Sequence, residues 1–254
     1  MSRIGLALLL AAFTALAPAQ APTTYQPEVG QAGKDVVWVP TPQALVDRML
    51  DMAKVTPKDY LIDLGSGDGR TVITAAKRGV RAMGIEYNPD MVELSKASAA
   101  KEGVAARASF MKADLFETDF SQASVITMFL LPSINLKLRP KLLGLKPGTR
   151  IVSNTFSMDD WKPDETAELS PDQGCNASWC TALLWIVPAR VAGTWKVPQG
   201  ELALKQVFQM LSGTLRTEGR ALPIKGKVRG DEVIFTAGGH EYRGKVNGKH
   251  LELR

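Results

Sequence analysis

The chain predicts a doubly wound α/β fold on a mostly parallel sheet, followed by a small antiparallel β domain. Three observations predict it. From residue 41 to about 190, short apolar runs alternate with segments of helical period. A glycine-rich turn, Asp63-Leu64-Gly65-Ser66-Gly67-Asp68-Gly69-Arg70, stands where the first run meets a helix. After Pro188 the helical period disappears, and short β-like runs separated by glycines replace it. The 254 residues therefore divide into three expected parts: a leader over 1–21, the α/β domain over 22–190 and a β meander over 191–254.

At 45% hydrophobic and 22% charged, the composition is that of an ordinary globular chain. It excludes a collagen-like chain, a coiled coil, a wholly disordered chain and a multi-span membrane protein. Two Cys cannot staple a disulfide scaffold, and two Cys with two distant His predict no metal site. Both histidines, His240 and His250, lie in the meander, so chemistry in the first 190 residues must proceed without histidine.

Met1-Ser2-Arg3, an apolar run from Ile4 to Leu16 and then Ala-Pro-Ala-Gln-Ala-Pro have the layout of a secretory signal peptide. Thirteen residues fall short of the roughly 20 that span a bilayer. An exported or periplasmic protein is expected, with membrane association open, or a cytoplasmic one if the start codon is misassigned. In an oxidising compartment Cys175 and Cys180 can close a small loop, the alternative being two unpaired thiols near a strand.

Residues 20–35 are polar and Pro/Gly-containing and predict a mobile lead-in. A helix follows, with Thr41 as cap, Pro42 in the first turn and Leu45, Val46, Met49, Leu50 and Ala53 on one face. Tyr60–Leu64 is the first buried strand, Thr71–Arg78 a helix and Arg81–Glu86 a strand. Pro89–Glu102 is a helix, Ala108–Ala113 and Val125–Leu130 are strands, and Leu136–Leu145 is a helix that Pro140 bends or splits. Thr149–Asn154 is a strand, and Glu165–Ser170 with Thr181–Val187 make an edge hairpin. Beyond Pro188 the runs predict a half-barrel-like meander, with Asn247-Gly248 as its clearest turn.

The glycine turn carries the chemistry. Its glycines permit a sharp bend and close approach of a ligand, and the next helix offers free N–H groups. The spacing is G-x-G-x-G, with Asp63 two residues before the first glycine. Glu86, at the end of the second strand, can hold two ribose hydroxyls. Asp114, after the third strand, is placed for an adenine amino group, with Leu115 against the ring. The fourth strand runs into Leu131-Pro132-Ser133-Ile134-Asn135 at the sheet mouth. Taken singly, Asp63 and Glu86 are ordinary turn and cap acids. Together, in this order, the four features predict S-adenosylmethionine as cofactor. The residues assigned to it on this pattern are Asp63, Gly65, Ser66, Gly67, Asp68, Gly69, Glu86, Asp114 and Leu115.

From about residue 36 to 190 the chain resembles the class I, seven-strand, Rossmann-like S-adenosylmethionine-dependent methyltransferases. More narrowly it is similar to the protein-lysine methyltransferases of the ATP synthase c-subunit and the adenine nucleotide translocase. The resemblance rests on Val39-Pro40-Thr41-Pro42, the glycine turn, Gly84-Ile85-Glu86, Leu130-Leu131-Pro132, Asn135 and Leu138-Arg139-Pro140-Lys141-Leu142. Lys146-Pro147-Gly148-Thr149-Arg150, Phe156 and Asp160-Trp161 complete it. It implies cofactor contacts from Asp63, Gly65, Gly67, Glu86 and Asp114, and it adds Pro40 and Thr41 to the residues assigned to the cofactor. It also implies that Pro40, Thr41, Leu131, Pro132, Asn135 and Trp161 lie near the cofactor or substrate opening. The signal-peptide pattern and the basic β tail depart from those enzymes.

Methyl transfer from a sulfonium demands mainly positioning and desolvation. Asn135, Asp159 and Asp160 are candidates to orient or deprotonate an amine. Phe129, Phe156 and Trp161 are candidates for an aromatic wall that favours a cation, or else for plain sheet core. The fourth strand ends in Leu-Leu-Pro, not in the Asp/Asn-Pro-Pro-aromatic stretch that suits planar amide or exocyclic amino acceptors. A protein substrate is expected, with a membrane-embedded one in view. The alternatives are a small-molecule or lipid methyltransferase and an exported S-adenosylmethionine-binding or protein-docking module without turnover. Nucleic acid is not the expected partner. Residues 191–254 hold 11 basic and 6 acidic side chains, the whole of the net +5. That charge suits an anionic partner or simple solvation of a β surface.

Overall fold

The computed structural model describes residues 25–248 and 250–253. The expected leader over 1–21 lies outside these residues. The first sheet contains β1 (Tyr60–Leu64), β2 (Arg81–Glu86), β3 (Ala108–Lys112), β4 (Val125–Met128), β5 (Arg150–Asn154), β6 (Glu165–Glu168) and β7 (Thr181–Ile186). Its order is β3-β2-β1-β4-β5-β7-β6, parallel from β3 to β5 and antiparallel for β7 and β6. This is the doubly wound sheet the sequence predicts.

Alternation along each strand separates two cores. Leu61, Val125, Val152, Ala182 and Leu184 face one way. They pack on α1 (Gln43–Met52), α2 (Arg70–Lys77) and α3 (Pro89–Lys101) through Leu45, Val72 and Val92. Ile62, Leu64, Ile126, Met128, Ile151 and Trp185 face the other way, against Ile134, Leu138 and Leu142 of α4 (Pro132–Leu142). All four residues of β4 are buried, as a central parallel strand covered on both faces requires.

Four local expectations need correction. Thr41 does not cap α1: Pro42 holds that position without a side-chain bond, and the Thr41 hydroxyl accepts from Asn154 Nδ2 at 3.3 Å. α4 begins at Pro132, four residues early, because proline at the first turn lacks only an N–H the helix does not use. Pro140 does not split α4: it stands in the last turn, and the helix closes two residues later. The stretch expected as a mobile lead-in is ordered from Tyr25 onward. Gly30 N donates to Trp38 O at 2.8 Å, and Trp38 N donates to Gln31 O at 2.9 Å.

The second sheet is a seven-strand antiparallel meander: β8 (Gly193–Val197), β9 (Gly200–Val207), β10 (Met210–Thr217), β11 (Arg220–Arg229), β12 (Glu232–Ala237), β13 (His240–Asn247) and β14 (His250–Leu253). It curls around Leu202, Leu215, Val228, Val233 and Phe235 into a nearly closed barrel. Asn247 pairs with His250, so the last turn begins at Gly248 (φ 57°), one residue beyond the expected Asn-Gly pair.

The meander is seated on the first sheet. Phe208 stacks on Trp161 with ring centroids 6.0 Å apart and planes at 16°. Gln209 Nε2 donates to Lys162 O at 2.8 Å, and Ala189 N donates to Gly230 O at 2.7 Å. Phe208 keeps φ at 51°, a costly conformation for a bulky side chain, and its stacking and the Gln209 bond hold it there.

Candidate active site

A cleft of roughly 1050 Å³, its mouth included, opens at the carboxyl ends of β1 and β4. There β1 pairs with β2 on one side and β4 on the other, so the chain reverses its direction of travel and leaves a crevice. The glycine turn forms its floor. Gly65, Gly67 and Gly69 adopt φ of 75°, 53° and 80°, which side-chain-bearing residues avoid. Gly65 N and Ser66 N both donate to Ile85 O, at 2.9 and 3.0 Å, and fasten the turn to β2.

Each expected acid has a distinct setting. Glu86 accepts from Gly67 N, Tyr87 N and Asn88 N, all at 2.9 Å, which aims its carboxylate into the cleft. Asp63 accepts from Thr127 Oγ1 at 2.6 Å. Burial pushes the Asp63 carboxyl up to about 7, aided by the charges of Glu86 and Asp68, with the Thr127 bond opposing. Asp114 accepts from Phe116 N at 2.9 Å and pairs with Lys34, whose ammonium holds the carboxyl below its ordinary range. Asp68 is committed to Arg70, at 2.6 Å from Nη2, and Arg70 Nη1 donates to Thr41 O at 3.0 Å. Asp68 therefore ties the glycine turn to the N-terminal segment.

That segment, of which the sequence pointed only to Pro40 and Thr41, is the cleft's second wall. Residues 31–41 cross the opening, including Pro40 and Thr41, and Trp38 lies against Gly67. Leu115 also lines the cleft. Ser66 does so too, and its buried Oγ has no hydrogen-bond partner among the described residues.

The expected amine-handling residues are not brought together. Trp161 is fully buried between Trp185 and Phe208 and forms no part of an aromatic wall. Asp160 is exposed and pairs with Arg139. Asn135 is buried, and its Nδ2 donates to Phe156 O at 3.0 Å and Ser157 O at 3.3 Å. It holds the loop after β5 while its Oδ1 has no partner among the described residues. Phe129 and Phe156 do stack, with centroids 5.8 Å apart, and Phe129 lines the cleft. Their third neighbour is Trp179, 6.3 and 5.4 Å away, which the sequence pattern did not single out. The signal was present: Trp179 precedes Cys180 in the short segment between two cysteines, and the structure joins Cys175 to Cys180.

An orphaned Ser66 hydroxyl, a desolvated Asp63 and an amide-braced Glu86 suit a ligand with both a charged amino acid end and ribose hydroxyls. Known proteins agree. A family model described as the ANTKMT methyltransferase domain matches residues 63–165. A protein-lysine N-methyltransferase of Saccharolobus islandicus is 47% identical over 137 residues, 53% of this chain and 85% of that protein. The human lysine N-methyltransferase of the ATP synthase c-subunit is 35% identical over 56% of this chain, which spans only 59% of the human protein. A crystal structure described as an RNA methyltransferase from Salinibacter ruber with S-adenosyl-L-homocysteine is 47% identical, with a TM-score of 0.56, over 60% of this chain and 96% of that one. At 47% identity over 85% of the Saccharolobus enzyme and with the family model matching across the glycine turn and its sheet, this chain belongs to the ANTKMT-type family of S-adenosylmethionine-dependent methyltransferases.

Proposed function

We propose that the protein methylates the side-chain amine of a protein lysine. The observation that carries this is the 47% identity to the Saccharolobus enzyme over 85% of its length. The Salinibacter relative, equally similar, is described as an RNA methyltransferase and makes RNA the rival acceptor. Lysine is favoured by the Leu130-Leu131-Pro132 segment that follows β4 and by the Phe129–Phe156 stack, whose Phe129 lines the cleft.

S-adenosylmethionine supplies a methyl carbon already activated by its sulfonium. The chain's residues then bind, orient and exclude water. Asp63, ionised, would hold the methionine ammonium, Glu86 would accept from the ribose hydroxyls, and Asp114, now paired with Lys34, would hold the adenine amino group. Residues 31–41 close the cleft from above. A lysine amine entering a dry cleft beside a sulfonium has its pKa lowered from about 10.4, so no histidine base is needed. Export, read from residues 1–21, accords with a closed Cys175–Cys180 pair.

The test uses purified protein, radiolabelled S-adenosylmethionine and fractionated cell extract, with Glu86→Ala as control. A labelled protein band that is lost in the control, and whose digest yields methyl-lysine, supports the proposal. Label confined to RNA, lipid or small molecules overturns it.

A further inference from the structure

We infer that Trp179, held in place by the Cys175–Cys180 disulfide, is the third wall of a cation port at the cleft mouth, and that reducing this disulfide opens the port. The inference rests on the acceptor being an amine.

Topology brings the three rings together. Phe129 directly follows β4, Phe156 lies two residues beyond β5, and Trp179 lies two residues before β7. β4 and β5 are parallel and β7 is antiparallel beside them, so all three residues emerge at the same end of the sheet, where Phe129 lines the cleft. Their planes differ: Phe129 and Phe156 lie at 19° to each other, while Trp179 tilts 56° and 47° from them. Such a corner presents more than one π face to a single guest. Trp179 remains 36% exposed, and Phe129 and Phe156 are half-buried, so the corner has an open side. Aromatic faces attract ammonium groups, including those whose methylation fixes the positive charge.

The position of Trp179 depends on the cross-link. Cys175 is buried in the core beneath α1, and Cys180 packs against the same cluster. Between them Asn176, Ala177 and Ser178 are exposed and belong to no helix or strand. Cys180 stays fastened without the bond, because Leu169 N donates to its carbonyl at 2.9 Å. What the disulfide restrains is the segment that carries Trp179. When dithiothreitol reduces it, the S–S bond breaks, each sulfur leaves as a thiol with one hydrogen, and the dithiol becomes its cyclic disulfide.

The test measures binding of two probes to full-length protein saturated with S-adenosylhomocysteine. One is acetyl-trimethyllysine amide; the other is its uncharged tert-butyl isostere. The oxidised wild type should prefer the cation by about tenfold, the scale of a desolvated cation–π contact. Trp179→Leu, which keeps apolar bulk, and the dithiothreitol-reduced wild type should both lose this preference. Trp179→Phe should keep most of it. Unchanged affinity for S-adenosylhomocysteine verifies that each form is folded. Equal binding of the two probes by oxidised protein, or a preference that survives reduction, overturns the inference. If the lysine proposal alone fails, labelling of protein is absent while the cation preference stands.

Discussion

Trp38 lies so close over Gly67 that a Cβ on the glycine would stand 2.5 Å from the indole Nε1. One contact thus joins the floor of the cofactor cleft to its N-terminal wall, and it forbids any side chain at the turn's centre. Gly67→Ala should lower S-adenosylhomocysteine affinity at least tenfold, because the residue would also have to keep φ at 53°. Trp38→Ala in the same background should relieve the steric part and leave the backbone part. Calorimetric titration of both variants separates the two.

Asp63 makes cofactor binding depend on pH. Its carboxyl titrates near 7 in the free fold and near 3.8 when unfolded. The folded state therefore favours the protonated form. This group's contribution to stability is full below about pH 4, declines as pH rises, and is lost above about 7. A bound ammonium reverses the preference. Binding at pH 6 should release a proton, and affinity should rise with pH up to about 7 and then level off. Titration in two buffers of different ionisation enthalpy measures the proton, and Asp63→Asn should abolish its release.

Phe208 seats the meander on the first sheet. Phe208→Ala removes its stack on Trp161 and the face beneath the Arg139 guanidinium, 5.3 Å from the ring centroid. A loss of about 3 kcal/mol in stability is expected, with cofactor affinity unchanged because the cleft lies elsewhere. Chemical denaturation and a cofactor titration on the same sample check both halves.

Arg150 and Asp59 brace the opposite end of the sheet. Burial alone would raise the Asp59 carboxyl, but bonds from Arg150, Ser124 and Thr56 hold it below its ordinary range. Arg150→Met leaves the carboxylate with Ser124 and Thr56 alone and should cost about 3 kcal/mol at pH 7. Because the folded pKa is depressed, the wild-type advantage should shrink as pH falls below about 4. Stability curves of both proteins between pH 3 and 7 test this.

Much of the candidate site was legible in the residues. Asp63, the three glycines and Glu86 are close in sequence and fixed by one strand–turn–helix and the strand after it, so local rules suffice to place them. Asp114 and Leu115 followed from the same strand-end logic. Asp160 and Trp161 were misplaced because a motif next to a cleft in sequence need not face it. One residue of rotation in the loop after β5 decides between solvent, core and cleft, and packing against Phe208 turns Trp161 inward.

By itself the sequence determined the order of strands and helices, the glycine turn and the split into a sheet with helices and a basic meander. Period, glycine conformation and burial preference are local properties and survive in one dimension. Tertiary structure alone decided that residues 31–39 join Pro40 and Thr41 as a wall of the cleft, that Asp68 serves Arg70, that Trp161 joins the two sheets and that Trp179 stands beside Phe129. Each of these depends on contacts between segments far apart in the chain or on which face a loop side chain turns toward. Those choices are set by the packing of the whole molecule, and no residue pattern encodes them locally.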